Sequence, residues 1–282
     1  FVVADLWTLM ADHDLIPPDG EIKHLLWTLH FLKAYPKQAT VCSTVGGSTG
    51  AIDPKTFRKY MWPFIHAVSD LEPVVVSMKY FCFIIFLNST HCIFSRLISK
   101  AGKIVAVGMT ASLVWMALTC ASRSRDQPSQ ETSFLRTSLK VNVDCGLRYK
   151  IGVDILAGNI VWVNGPFAAG KYTDIKIFRL GLAHWLEEFE RVEADDGYIG
   201  EAPQKMKCPG CMSNPDENQE MQNSVQARHE SLNGRLKNWA ILSTMYRHDL
   251  MEHGNVFRAI AVITQIGINA GEKHFEVDYS DL

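Results

Sequence analysis

Two adjacent aspartates, Asp195 and Asp196, close the short apolar-tending run ERVEA (190–194) and are followed at once by Gly197-Tyr198. Like charges side by side repel unless a cation, a cap or water takes up the charge. Carboxylate oxygens suit a hard divalent ion, while Asp and Gly also build ordinary solvated turns. A second acid of interest is Glu230, within ARHESLNGRLKNW (227–239); on its own it reads as a solvated helix residue. Cys208-Pro209-Gly210-Cys211 has the spacing of half a zinc knuckle, but no second pair accompanies it. Asp154, in GVDIL, could face either side of a strand and takes no role.

The elements around these residues follow from periodicity. LRYKIGVDIL (147–156) and NIVWVNGPF (159–167) are β-rich runs separated by Ala157-Gly158, which predicts a hairpin. Residues 174–189 form an amphipathic helix with Asp174 as its N-cap. A strand ending at Asp195 follows, then a polar insertion with Pro203, Pro209 and Pro215, then a long helix over about 218–240. The last helix, VFRAIAVITQIGI (256–268), is apolar on most sides and belongs to a core. Strand, strand, helix, strand, helix is a mixed α/β domain, a sheet covered by helices.

Toward the N-terminus, EIKHLLWTLHFLKAY (21–35) places Ile22, Leu25, Leu26, Leu29 and Leu32 on one helical stripe. STVGGSTGAID (43–53) reads as a loop, after which Asp53-Pro54 caps and starts a second helix that Pro63 bends. Two helices across a Gly-rich loop resemble a helix-turn-helix, although ordinary helical packing gives the same pattern. Between the two halves, VVVSMKYFCFIIFL (74–87) and IVAVGMTASLVWMALTCA (104–121) are the most apolar runs in the chain. The second carries no charge over 18 residues, enough on hydropathy alone for a membrane span. Positive residues on both sides give no orientation, and SRSRDQPSQETS (122–133) has a disorder-like composition.

Composition sets wide bounds. The 282 residues, 47% of them hydrophobic, can bury one large or two small cores. With 28 basic and 30 acidic residues the net charge is −2, so nucleic-acid binding would need a local basic face. Seven widely spread cysteines suit a reducing compartment better than a disulfide framework. Beginning at Phe1 without Met, the sequence is expected to be a fragment or an incomplete gene model.

Taken in order, GLRYKIGVDILAGNIVWVNGPF, YTDIKIFR, VEADDGYIG, QARHESLNGRLKNWAIL and YRHDLMEHGNVFRAIAVITQ resemble the catalytic core of Harbinger-like DDE transposases, the DDE superfamily endonucleases. The resemblance covers 146–282 and extends to 20–73. It implies a ribonuclease H-like catalytic domain over 141–282, a mixed sheet flanked by helices. A small helical, helix-turn-helix-like region over 1–73 would precede it, as a DNA-binding element. In such enzymes three carboxylates hold two divalent ions about 3.5–4 Å apart and activate water or a 3′ hydroxyl against a DNA phosphodiester. By position, Asp195 matches the second ligand of Mg²⁺ or Mn²⁺ and Glu230 the third, with their carboxylates expected within roughly 4–8 Å. Asp196 matches a variable position, and Asp174 a position that is not a ligand. Arg228, Arg235 and Lys237 would stand near Glu230 by helical spacing and meet phosphate. The resemblance further implies DNA as partner, a nuclear location and no membrane association, and leaves room for a homo-oligomer.

The first ligand of the family, in a strand reading Val-Asp-Gly-Thr-Asp before the hairpin, has no counterpart here. LVWMALTC (113–120) stands near its place. Trp is TGG, Met is ATG and Ala begins GC, so reading from one base upstream of Trp115 forces Asp-Gly. Met109-Thr110 forces another Asp in that frame. Segment 74–140 therefore reads as a disrupted insertion, an exon out of frame behind a retained intron, and is expected to pack loosely. Asp144, near the join, does not match the missing motif. Three readings follow: a DDE endonuclease left inactive by the missing aspartate, a non-catalytic DNA-binding protein derived from one, and a small membrane protein spanning at 104–121.

Overall fold

In the computed structural model, the residues described are 2–76, 112–113, 147–154, 158–168, 171–186, 190–194, 196–208 and 227–272. They mix helix and strand. In chain order the elements are α1 (Val2–Asp12), α2 (Ile22–Ala34), α3 (Gln38–Gly46), α4 (Pro54–Asp70), α5 (Glu72–Val75), β1 (Ser112–Leu113), β2 (Leu147–Val153), β3 (Ile160–Ala168) and α6 (Asp174–Leu180). They continue with β4 (Val192–Glu193), β5 (Met206–Lys207), α7 (227–237), α8 (Ala240–Ser243) and α9 (His253–Asn269). The described residues fall into two compact units: 2–75 with 235–272, which is helical, and 76, 112–113 and 147–234, which holds the strands. The first helices thus share a core with the last ones.

In the helical unit, α4 starts as its sequence dictates. The Asp53 carboxylate accepts hydrogen bonds from the Lys55 N–H (2.7 Å) and the Thr56 N–H (3.4 Å), and Pro54 takes the first helical position, where its missing N–H costs nothing. Pro63 lies within the helix, which runs on to Asp70. Phe57, Met61, Phe64, Ile65 and Val68 of α4 are buried, as are Val256, Phe257, Ile260 and most of the rest of α9, the core helix its composition predicts.

The face of α2 differs from the aliphatic stripe. Its buried residues are His24, Leu25, Thr28, Phe31 and Leu32, whereas Ile22 and Leu26 are 47% and 49% exposed. His24 turns the helix: its ring stacks on Tyr60 at 3.7 Å and its Nδ1 accepts the Glu21 N–H at 3.0 Å. Thr28 satisfies its hydroxyl on the His24 carbonyl at 2.9 Å, so both polar side chains can be buried. The region read as loop 43–53 is helical up to Gly46 and becomes a 3-10 turn over Gly47–Thr49. Positive φ at Gly47 (54°) and Gly50 (95°) lets the chain reverse there. The expected pair of helices is therefore a run of three.

The second unit contains the expected hairpin, β2 antiparallel to β3, with β1 antiparallel along the other edge of β2. The Asp154 N–H donates to the Asn159 carbonyl (2.8 Å) and the Gly158 N–H to the Asp154 carbonyl (2.9 Å) beside a positive φ of 74° at Gly158. Helix α6 is shorter than 174–189: it ends at Leu180, and a 3-10 turn follows over Leu182–His184. Thr173, not Asp174, is its N-cap, and Asp174 is its first helical residue. Strand β4 pairs in parallel with β5, which lies inside the run expected to be a polar insertion. Val161, Phe178, Leu182, Val192, Tyr198, Met206 and Cys208 form the core of this unit.

Of segment 74–140, residues 74–76 and 112–113 alone fall within the description, so its expected loose packing lies outside the described residues. Among the described residues no helix is long and apolar enough to cross a membrane.

Candidate functional site

Strand β4 and the bridge at Ala194 lead directly to the acidic pair, and a 3-10 turn spans Asp196–Glu201 on its far side. Asp195 itself lies outside the described residues, as does its expected separation from Glu230. The turn is held from beneath by Tyr198, which is fully buried and meets Phe178 edge-on at 6.3 Å.

Under Tyr198 sits a cluster of charge. One oxygen of Asp174, Oδ1, takes both Arg148 Nη1 (2.9 Å) and Lys150 Nζ (2.7 Å). Arg148 also donates to the Tyr172 carbonyl at 3.1 Å, and the Lys150 ammonium lies 5.4 Å from the centre of the Tyr198 ring. Lys150 has no exposed side-chain surface, and Asp174 keeps 23% of its own. A buried ammonium persists only with a partner, so Asp174 has a structural task in place of the cap its position suggests. The cluster ties three stretches together: the hairpin strand β2, the start of α6 and the turn after the acidic pair. Sequence reasoning missed it, although Arg148 and Lys150 at i and i+2 in a strand pattern, with an acid opening the next helix, were its visible signal.

Glu193, on β4, is also buried; burial pushes its carboxyl above the ordinary range, and Lys207 at 3.3 Å on β5 pulls the other way. On the rim, Arg179 pairs with Glu201 at 2.6 Å, fastening α6 to the end of the 3-10 turn.

Glu230 is exposed on α7. Arg228, Leu232 and Leu236, four residues apart, form the inward stripe of that helix and are all buried. Arg228 is 5% exposed and, about 200° around the axis from Glu230, points the opposite way. The leucines fix that register, so Arg228 does not stand with Glu230 as its spacing suggested. Lys237, seven residues on, is exposed on the same side as Glu230. Arg235 donates to the backbone carbonyl of Glu272.

Cys208 is buried in the apolar core, and Cys211 lies outside the described residues. Among the described residues no three His, Cys, Asp or Glu side chains converge as a metal site. The described donors alone do not fit a pair of divalent ions, since Glu230 is a single exposed carboxylate. Comparison with protein-family models, with curated proteins and with solved structures finds no match to this chain.

Proposed function

We propose that the chain is a transposase-derived DDE endonuclease acting on DNA phosphodiesters, left without cleavage activity because its first aspartate is missing. The observation that carries the reading is the succession of Asp195-Asp196-Gly197-Tyr198 directly after strand β4 and an outward-facing Glu230 on α7. The antiparallel hairpin and α6 before them agree with the order of elements in a ribonuclease H-like domain. Asp195 and Glu230 are its two ligands for Mg²⁺ or Mn²⁺. Two carboxylates are one short of what fixes a pair of ions for in-line displacement. A DNA substrate goes with a nuclear location.

A second reading, a non-catalytic DNA-binding protein of the same descent, draws on the helical unit, where Lys55, Arg58 and Lys59 are all exposed on the first turns of α4. Nicking of supercoiled plasmid with Mg²⁺ or Mn²⁺ separates the two. The chain as it stands does not nick. A version whose segment 74–140 is re-read to restore Asp-Gly does, and its Glu230→Gln variant does not. Nicking by the unrestored chain, or equal nicking by the restored chain and its Glu230→Gln variant, removes the catalytic reading. Failure of the restored chain to nick, with DNA still bound in EDTA, leaves the second reading.

A further inference from the structure

Three of the described arginines pair with a carboxylate. Arg148 pairs with Asp174, Arg179 with Glu201 and Arg258 with Glu72. Arg58 and Arg247 have no carboxylate within salt-bridge reach among the described residues, and both are exposed. Both belong to the helical unit, on either side of the aromatic cluster that surrounds one imidazole, His248. Arg58 precedes Trp62 by one turn of α4, and the Trp62 ring meets the His248 ring edge-on at 5.3 Å. Arg247 lies with its guanidinium carbon 4.2 Å from the centre of the Tyr35 ring; its backbone N–H donates to the Tyr35 hydroxyl at 2.6 Å and its side chain to the Pro36 carbonyl at 3.1 Å. Phe31, Tyr35 and Tyr246 complete the ring around His248 at 5.5–5.7 Å. Lys33, at the same end of α2, holds its ammonium over Trp239 at 5.2 Å.

Among the described residues no carboxylate pairs with Lys33, Arg58 or Arg247 by salt bridge. Burial, then Arg247 and then Arg58, lowers the pKa of His248. The nearest acids in sequence, Asp53 and Asp249, are turned onto backbone N–H groups, those of Lys55 and Thr56 and that of Met251. The aromatic floor fixes the guanidinium of Arg247 in place, which lowers the entropy lost on meeting a ligand. Tyr35 is 5% exposed, so the floor is too deep for bases to stack on. What the surface offers a ligand is fixed, outward cation.

We propose that Lys33, Arg58 and Arg247 form a contact surface for the phosphates of duplex nucleic acid, read by charge and not by base sequence. The proposal rests on the DNA reading above but not on any cleavage. It places the phosphate contacts on Lys33, Arg58 and Arg247 in place of the α7 residues expected near Glu230.

The test is fluorescence anisotropy of the full chain on a labelled duplex of about 20 base pairs, in EDTA, from about 50 to 200 mM salt, where phosphate-driven affinity falls steeply. Arg58→Ala is expected to weaken binding severalfold at the low-salt end and to lower the slope of log affinity against log salt by about one. Lys33→Ala should do the same, and Lys171→Glu, an exposed lysine of the other unit, should change neither quantity beyond a small uniform shift. Arg247→Lys keeps charge while giving up the ring contact; circular dichroism checks its folding, and Arg58→Ala carries the test if it unfolds. An unchanged slope in Arg58→Ala, with Lys237→Glu weakening binding, overturns this surface and leaves the DNA reading standing. Absence of duplex binding by the native chain at the lowest salt overturns both. Binding of polyglutamate in place of DNA, with the same dependence on Arg58, overturns the nucleic-acid assignment in favour of an acidic protein partner.

Discussion

Replacing Asp174 by alanine removes the only carboxylate that Arg148 and Lys150 share by salt bridge among the described residues. The two cations then fare differently. The Arg148 side chain is 15% exposed and keeps the Tyr172 carbonyl as a partner, so part of its charge passes to water. Lys150, with no exposed surface, keeps the Tyr198 ring face at 5.4 Å, a contact worth about 1–2 kcal/mol when desolvated. Removing one member of a buried pair costs roughly 3–5 kcal/mol because the other charge is left uncompensated. Asp174 is 23% exposed and was never fully desolvated, which puts the expected loss near the lower end, about 3 kcal/mol. With an urea m-value of about 1–3 kcal/mol per molar, the unfolding midpoint should fall by about 1–3 M. Adding Lys150→Met to Asp174→Ala should recover most of that loss, since an apolar side chain of similar volume needs no partner. Urea unfolding of the native chain, both single variants and the double variant closes the cycle. A loss below about 1 kcal/mol for Asp174→Ala, or no recovery in the double variant, would refute the claim that the Asp174–Lys150 contact stabilises the fold.

Acid should unfold the helical unit through its histidines. Burial lowers the pKa of His253 from 6.5 to about 4, so the fold holds it neutral while the unfolded chain takes up a proton. Its contribution is intact above about pH 6.5, falls away as pH drops and is gone near pH 4, a difference of about 3 kcal/mol. His24 and His248 shift in the same direction, whereas Glu72, raised by burial, works the other way. The comparison is therefore between the native chain and His253→Phe: the variant should lose less stability between pH 7 and pH 5 in urea titrations, and equal slopes would contradict the assignment. The rotated face of α2 gives a simpler check. Leu25→Ala, at 0% exposure, should cost about 2–5 kcal/mol and Leu26→Ala, at 49%, less than about 1, read from thermal unfolding; the reverse order would restore the aliphatic stripe.

What was legible in the sequence was what neighbouring residues settle among themselves. Asp53-Pro54 specifies the start of α4 because cap and ring act within one turn. The hairpin follows from two β-rich runs joined at Ala157-Gly158. The face of α2 was misjudged because a stripe of aliphatics leaves out polar side chains that satisfy themselves. His24 and Thr28 do so through the Glu21 N–H and the His24 carbonyl, and so become core. Arg228 was misplaced for a related reason. Spacing puts it near Glu230 along the chain, but Leu232 and Leu236 decide which way its side of the helix turns. The role of Asp174 could not be read locally at all, since its partners stand 26 and 24 positions earlier, on a strand.

These particulars separate two properties that a resemblance to nucleases joins. Cleavage depends on carboxylates converging on one point, and a single missing ligand removes it whatever else survives. Phosphate binding depends on a sum of cations, each contributing about one unit to the salt slope and none indispensable. In this chain the acidic turn is braced by the Arg148, Lys150 and Asp174 cluster in the unit that holds the strands, whereas Arg58, Arg247 and Lys33 belong to the helical unit. Damage to the first set is therefore expected to leave the second intact. Asp174→Ala should loosen the turn after Asp195 and reduce the stability of its own unit while leaving the salt slope of DNA binding unchanged; Arg58→Ala should do the converse. If both variants moved both quantities together, the acidic turn and the proposed phosphate surface would share one scaffold, and the separation of the two properties would fail.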